Sequence, residues 1–196
     1  MIRMIYATIL IGVGVLGATA WTWAARTGYE SAQYKVLESQ GPFEIREYPE
    51  LTLAATSSER GSQGRDGSFM RLFRYISGAN EADQKIAMTT PVFMQEASDK
   101  AKGSMGFVMP QQVAEKGVPE PRGEGVQIRE RRGGRFAVIR FSGRLTSKAA
   151  EQQEAKLREW IESQGIEAEA TAETAGYDAP FTPGPFRRNE VLIRLK

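Results

Sequence analysis

The sequence predicts an α+β fold of two similar halves. Together they form a curved antiparallel β-sheet or distorted barrel flanked by two helices, behind an N-terminal transmembrane helix. Three observations predict this. Ile45-Arg46-Glu47 is followed nine positions on by Ala54, and Ile128-Arg129-Glu130 is followed at the same interval by Ala137. Each unit runs strand pair, amphipathic helix, strand pair, the kind of self-similarity that marks a duplicated architecture. Met4 to Ala25 contains no charged residue, and a helix of that length spans roughly 30 Å, enough for a bilayer core.

The 196 residues hold one ordinary domain and an appendage, divided here as an anchor or signal segment at 1–26, a polar linker at 27–33 and a domain at 34–196. The N-terminal segment has Arg3 before it, Arg26 after it, and Trp21 and Trp23 near one boundary, where amphipathic rings favour the membrane interface. This places the chain at the inner membrane as a single-pass protein with its domain outside the cytoplasm. Ala18-Thr19-Ala20 is also an A-x-A-like cleavage site, so export after signal cleavage is the alternative.

Within the domain, Phe43-Glu44-Ile45-Arg46-Glu47-Tyr48 alternates with period two and reads as a strand, preceded by Tyr34-Lys35-Val36-Leu37 and followed by Leu51 to Thr56. Ser57 to Gly67 is a Gly/Ser-rich loop. Phe69, Leu72, Phe73 and Ile76 form one stripe of a helix over about Ser68 to Ser77, which Gly78 ends. Lys85 to Met94 and Met105 to Met109 read as a strand pair, and Gln111 to Gly125, with its prolines and glycines, as the connection between halves.

In the second half, Val126 to Arg132 and Arg135 to Phe141 flank Gly133-Gly134, a two-residue hairpin signal. The second helix runs from about Ser147, its N-cap, to Gln164. Its inner face carries Ala150, Leu157, Trp160 and Ile161, and Gly165 stops it. Ile166 to Ala172 and Glu190 to Leu195 close the half, with a Pro/Gly-rich loop between them.

Composition prunes the functions available. Zero cysteine excludes disulfides and thiolate chemistry, and zero histidine removes the usual general base. The net charge of +2 is not concentrated on one face, which argues against nucleic acid as a partner. Arg129, Arg131, Arg132 and Arg135 read as a solvated hairpin. No catalytic or metal-ligating set is evident.

Two strings stand out: Gly78-Ala79-Asn80 leading into Lys85-Ile86-Ala87-Met88-Thr89-Thr90-Pro91-Val92, and Gly176-Tyr177-Asp178-Ala179-Pro180 leading into Arg187-Arg188-Asn189-Glu190-Val191. In this order and separation they resemble the SOUL haem-binding family, from about Tyr34 to the C-terminus. The resemblance implies binding of haem or a related tetrapyrrole for haem handling at the cell envelope. It also places the Tyr177 loop near the ligand cleft. Thioethers and flat rings suit a planar apolar ligand, which makes Met70, Phe73, Met88, Phe93, Tyr177 and Phe181 candidates. Arg187 and Arg188 could pair with propionates. Without histidine, binding would rest on apolar enclosure. The two-fold arrangement also resembles gyrase-inhibitor-like small-molecule-binding domains, some of them hydrolytic, with Glu44, Glu47 or Tyr177 as acid/base groups.

Overall fold

The computed structural model of the chain describes residues 28–59, 62, 64–97 and 102–196. The anchor or signal segment at 1–26 lies outside them. Among the described residues no helix is long and apolar enough to cross a membrane.

Strands β1 (Glu30–Ser31), β2 (Lys35–Gln40), β3 (Phe43–Tyr48) and β4 (Leu51–Ser58) precede helix α1 (Ser68–Ile76). Strands β5 (Thr89–Thr90), β6 (Val92–Gln95) and β7 (Gly103–Val108), then the short helix α2 (Gln111–Lys116), complete the first half. The second half is β8 (Gln127–Arg131), β9 (Gly134–Phe141), helix α3 (Ser147–Ser163), β10 (Ala168–Gly176) and β11 (Asn189–Leu195). Nine strands form one antiparallel sheet in the order β2-β3-β9-β11-β10-β6-β7-β4-β8, and β1 pairs with β5 in a separate parallel ribbon.

The duplication read from the sequence is a symmetry of this sheet. Leaving β2 aside, exchanging β3 with β8, β4 with β9, β6 with β10 and β7 with β11 reproduces the strand order. The register obeys the same exchange: Ile45 faces Ala137, and its counterpart Ile128 faces Ala54. The pseudo-dyad falls at the pair Met94–Thr174, between β6 and β10. Each half therefore lends its first strand to the second strand of the other.

This exchange overturns the hairpin expected at Gly133-Gly134. Strand β8 pairs with β4, and β9 with β3 and β11, so the glycines carry the chain across the sheet instead of back along it. The link from β3 to β4 makes the same crossing, and the two links touch. A Cβ on Gly133 would lie 2.7 Å from the Glu50 nitrogen and 2.8 Å from the Tyr48 oxygen. Glycine is required there by backbone passing backbone.

No closed barrel forms, so that expectation is corrected to an open, curled sheet with edges at β2 and β8. Both edges carry exposed charged side chains, Lys35 and Glu38 on one and Arg129 and Glu130 on the other, which disfavour edge-to-edge pairing. Among the described residues there are three α-helices, not two, because a short one forms within the connection between the halves.

Helices α1 and α3 lie on one face of the sheet, each over its own half. Thr146, not Ser147, caps α3 by accepting a hydrogen bond from the Ala149 nitrogen. Ala150, Leu157 and Ile161 are buried as expected, and Trp160 stacks on Phe43. Helix α1 is rotated from the expected stripe: Leu72, Tyr75 and Ile76 are buried, while Phe73 is exposed. Tyr75 can occupy the core because its hydroxyl donates to the Pro119 carbonyl at 2.7 Å.

Residues 85–88 are not strand. Instead, buried Asn80 organises the turn after α1: its amide donates to the Tyr75 and Gln84 carbonyls, and its oxygen accepts from the Gln84 nitrogen. Asn80→Ala strands these groups and should destabilise the fold by about 1–3 kcal/mol, measured as a lower midpoint in urea unfolding. Pro91, with no N–H to donate, marks where the chain leaves the β1 ribbon and joins the main sheet.

Candidate functional site

The face of the sheet away from the helices carries side chains that alternation turns inward. Arg46 and Tyr48 come from β3, Phe93 from β6, Phe136 and Val138 from β9, Glu190 and Leu192 from β11. At its centre Glu190, with no exposed surface, receives both Arg46 Nη1 at 2.8 Å and Arg46 Nη2 at 3.0 Å. Arg188 donates to the same carboxylate at 2.7 Å and to the Tyr34 hydroxyl at 2.9 Å. The Tyr177 hydroxyl donates to Glu190 at 2.9 Å, and Arg46 Nε reaches Glu44 at 2.6 Å. The guanidinium of Arg46 lies over the Tyr34 ring and that of Arg188 over the Tyr177 ring.

These groups tune one another. Burial pushes the Glu190 carboxyl up, but the hydrogen bond from Arg46 and the charges of Arg46 and Arg188 outweigh it and hold the carboxyl below its ordinary range. Burial, reinforced by the Glu190 charge, pushes the Tyr177 phenol well above its ordinary value. Tyr177 is thus a protonated donor with its acceptor in place, and Glu44 is occupied by Arg46. Neither is set up as a general base.

The eight candidate residues do not converge. Phe93 and Tyr177 are buried on the inner face, and Arg188 is engaged there by Glu190. Arg187 is tied to its own loop, donating to the Thr182 and Pro180 carbonyls. Phe181 is 73% exposed on that loop. Met88 packs against the core under α1, on the opposite side of the sheet, and Met70 and Phe73 stand on the outer surface of α1, 45% and 43% exposed.

That outer surface of α1 is the candidate site. Phe69 and Phe73 lie one turn apart with their rings nearly parallel, 13° between planes and 6.2 Å between centres. Phe69 is anchored edge-on against Phe107, which fixes the pair. Arg71 is consumed by Thr56, Asp66 and Ser57. Arg74 is exposed and has no carboxylate partner among the described residues. The surface thus presents a flat aromatic and thioether patch beside one available guanidinium. It suits the apolar faces and carboxylates of a tetrapyrrole, and offers iron a thioether but no imidazole or thiolate.

Sequence reasoning missed three elements of this picture. Arg74 carries no distinguishing local pattern. Arg46 was legible in principle, since alternation places it on the same face as Tyr48. Arg131, expected to be solvated, is buried and packed over Tyr48, Phe93 and Phe136.

Several solved structures share this fold. The EcmrR C-terminal domain is 11% identical, with a TM-score of 0.58 over 83% of this chain and 98% of that one. A hydrolase from Listeria innocua is 12% identical, with a TM-score of 0.58 over 82% and 94%. EcmrR in a DNA complex is 10% identical, with a TM-score of 0.59 over 100% and 71%. At these identities the likeness is one of fold. No curated protein sequence matches the chain. The SOUL heme-binding protein family model matches residues 29–194, nearly the whole of the described structure, and the chain belongs to that family.

Proposed function

We propose that the protein binds haem or a related tetrapyrrole on the outer face of α1, without histidine ligation, as a carrier or sequestering protein. The observation that carries this reading is the stacked Phe69–Phe73 pair, with Phe69 half-buried against the core and Phe73 exposed beside Met70 and Arg74. A macrocycle laid on this patch covers apolar surface, and a propionate can reach the Arg74 guanidinium. Family membership supports the ligand class. The reading is one of binding, since the Listeria innocua hydrolase resembles this chain in fold alone.

Haemin titration followed in the Soret region should give a saturable shift at low micromolar concentration. Met70→Glu combined with Phe73→Glu should weaken it at least tenfold, since each side chain buries apolar area worth about 1.5–3 kcal/mol. Both side chains are exposed, so the thermal midpoint should stay near that of the parent. An unshifted Soret band, or equal affinity in the double variant, sinks this reading.

We further propose that the N-terminal segment holds the domain at the inner membrane, facing away from the cytoplasm. The support is its charge-free length with Arg3 and Arg26 at its ends. Protease added to spheroplasts should digest the domain; full protection means the opposite orientation. A mature protein beginning at Trp21 would replace the anchor by a cleaved signal.

A further inference from the structure

The pseudo-dyad exposes an asymmetry of charge. Arg46 on β3 corresponds to Arg129 on β8, and Glu190 on β11 corresponds to Ser104 on β7. The correspondence extends to contact: Arg46 donates to Glu190 at 2.8 Å, and Arg129 donates to the Ser104 hydroxyl at 3.0 Å. Arg46 of the first half thus meets a carboxylate from the second. Arg129 has a serine in that place and no carboxylate partner among the described residues.

Arg129 borders a cleft of about 260 Å³ between β8 and strands β10 and β11, lined also by Arg131, Arg132 and Arg194 over an apolar floor of Phe136 and Leu192. Its acidic members are Glu130, Glu169 and Glu173. Glu173 is taken by Arg131, and Glu169 is shared loosely by Arg132 at 3.9 Å and Arg194 at 3.8 Å. One guanidinium is in excess. A second, independent sign is that the Arg131 side chain is only 6% exposed and its Nη1 has no hydrogen-bond acceptor. Buried donors are ordinarily satisfied, so the orphan leaves the Arg131 charge only partly compensated in the cleft wall, where its guanidinium lies over Tyr48, Phe93 and Phe136.

We propose that this cleft is a carboxylate-binding site, in which a ligand carboxylate takes beside Arg129 the place that Glu190 takes beside Arg46. The site lies on the face of the sheet opposite α1, and the inference is independent of the tetrapyrrole reading. The carboxylate could belong to a small free acid or to the propionate of a tetrapyrrole, and the two are separable by experiment.

The arginine Nε–H signals of the full-length chain in detergent micelles provide the readout. Succinate should shift the Arg129 and Arg131 signals saturably at roughly millimolar concentration, the strength of two or three charge-assisted hydrogen bonds. If haemin shifts them and succinate does not, haem dimethyl ester should also fail, and the source is a propionate. Arg129→Gln should weaken either response about tenfold or more. Ser104→Glu should abolish it by restoring the internal partner, with no loss of thermal stability. The proposal is overturned if neither succinate nor haemin moves these signals, or if the response survives Arg129→Gln undiminished. Binding by Met70/Phe73 variants, read at the Soret band, reports separately on the α1 face.

Discussion

Glu190→Ala should be the most damaging single substitution on the inner face. It removes the one carboxylate that receives both Arg46 and Arg188, leaving Arg46, 1% exposed, with the Tyr48 hydroxyl and, at the rim, the Glu44 carboxylate. Breaking a buried pair by deleting one partner costs about 3–5 kcal/mol, because the surviving charge stays desolvated. For a chain of this size the melting temperature should fall by roughly 6–20 °C, measured by circular dichroism. A change below roughly 2 °C would mean that the arginines find water or other partners. Adding Arg46→Met to Glu190→Ala should recover part of the loss, since the stranded charge is removed with its partner.

The same carboxylate ties stability to pH. Its folded pKa lies below the ordinary value of 4.5, so its contribution is fully present above that value. The contribution is lost as the pH falls through the folded pKa. In Glu190→Gln that dependence should disappear, giving a flatter stability curve between about pH 5 and 2. Parallel curves for the two proteins would contradict the depressed pKa.

Gly133→Val should disrupt the crossing of the two half-connections. A Cβ at this position meets Glu50, Pro49 and Tyr48 backbone atoms at 2.7–2.8 Å, closer than side chains approach. None of the three can rotate away, unlike the Arg194 guanidinium that faces Gly134. The expected penalty is about 3 kcal/mol, the upper end for overpacking, because relief requires a backbone shift. Urea unfolding should show a lower midpoint for Gly133→Val and a smaller loss for Gly143→Ala, where a Cβ meets nothing within 4 Å and the cost is the backbone strain of a positive φ alone.

The repeat, the α+β class, helix α3 and most strand positions were legible in the sequence, as was the family. Each depends on local information. Period-two alternation shows which residues of a strand share a face, and a cap followed by an apolar stripe marks a helix. The string Gly78-Ala79-Asn80 was visible, but its work became clear only when Asn80 was seen bridging Tyr75 and Gln84.

Tertiary structure decided partners. Gly133-Gly134 favours a hairpin locally, yet β8 and β9 pair with strands of the other half, because that exchange buries both inner faces. Arg46 and Glu190 stand 144 positions apart, and no local pattern announces their pairing. Arg131 sits among charged neighbours in sequence, but the curl of the sheet carries it over three aromatic rings and onto Glu173. The stripe of α1 fell one step away from the simplest helical count because Tyr75 found a buried acceptor. Local periodicity determines which residues can share a surface; long-range packing and the need to satisfy buried charges determine which surface meets which.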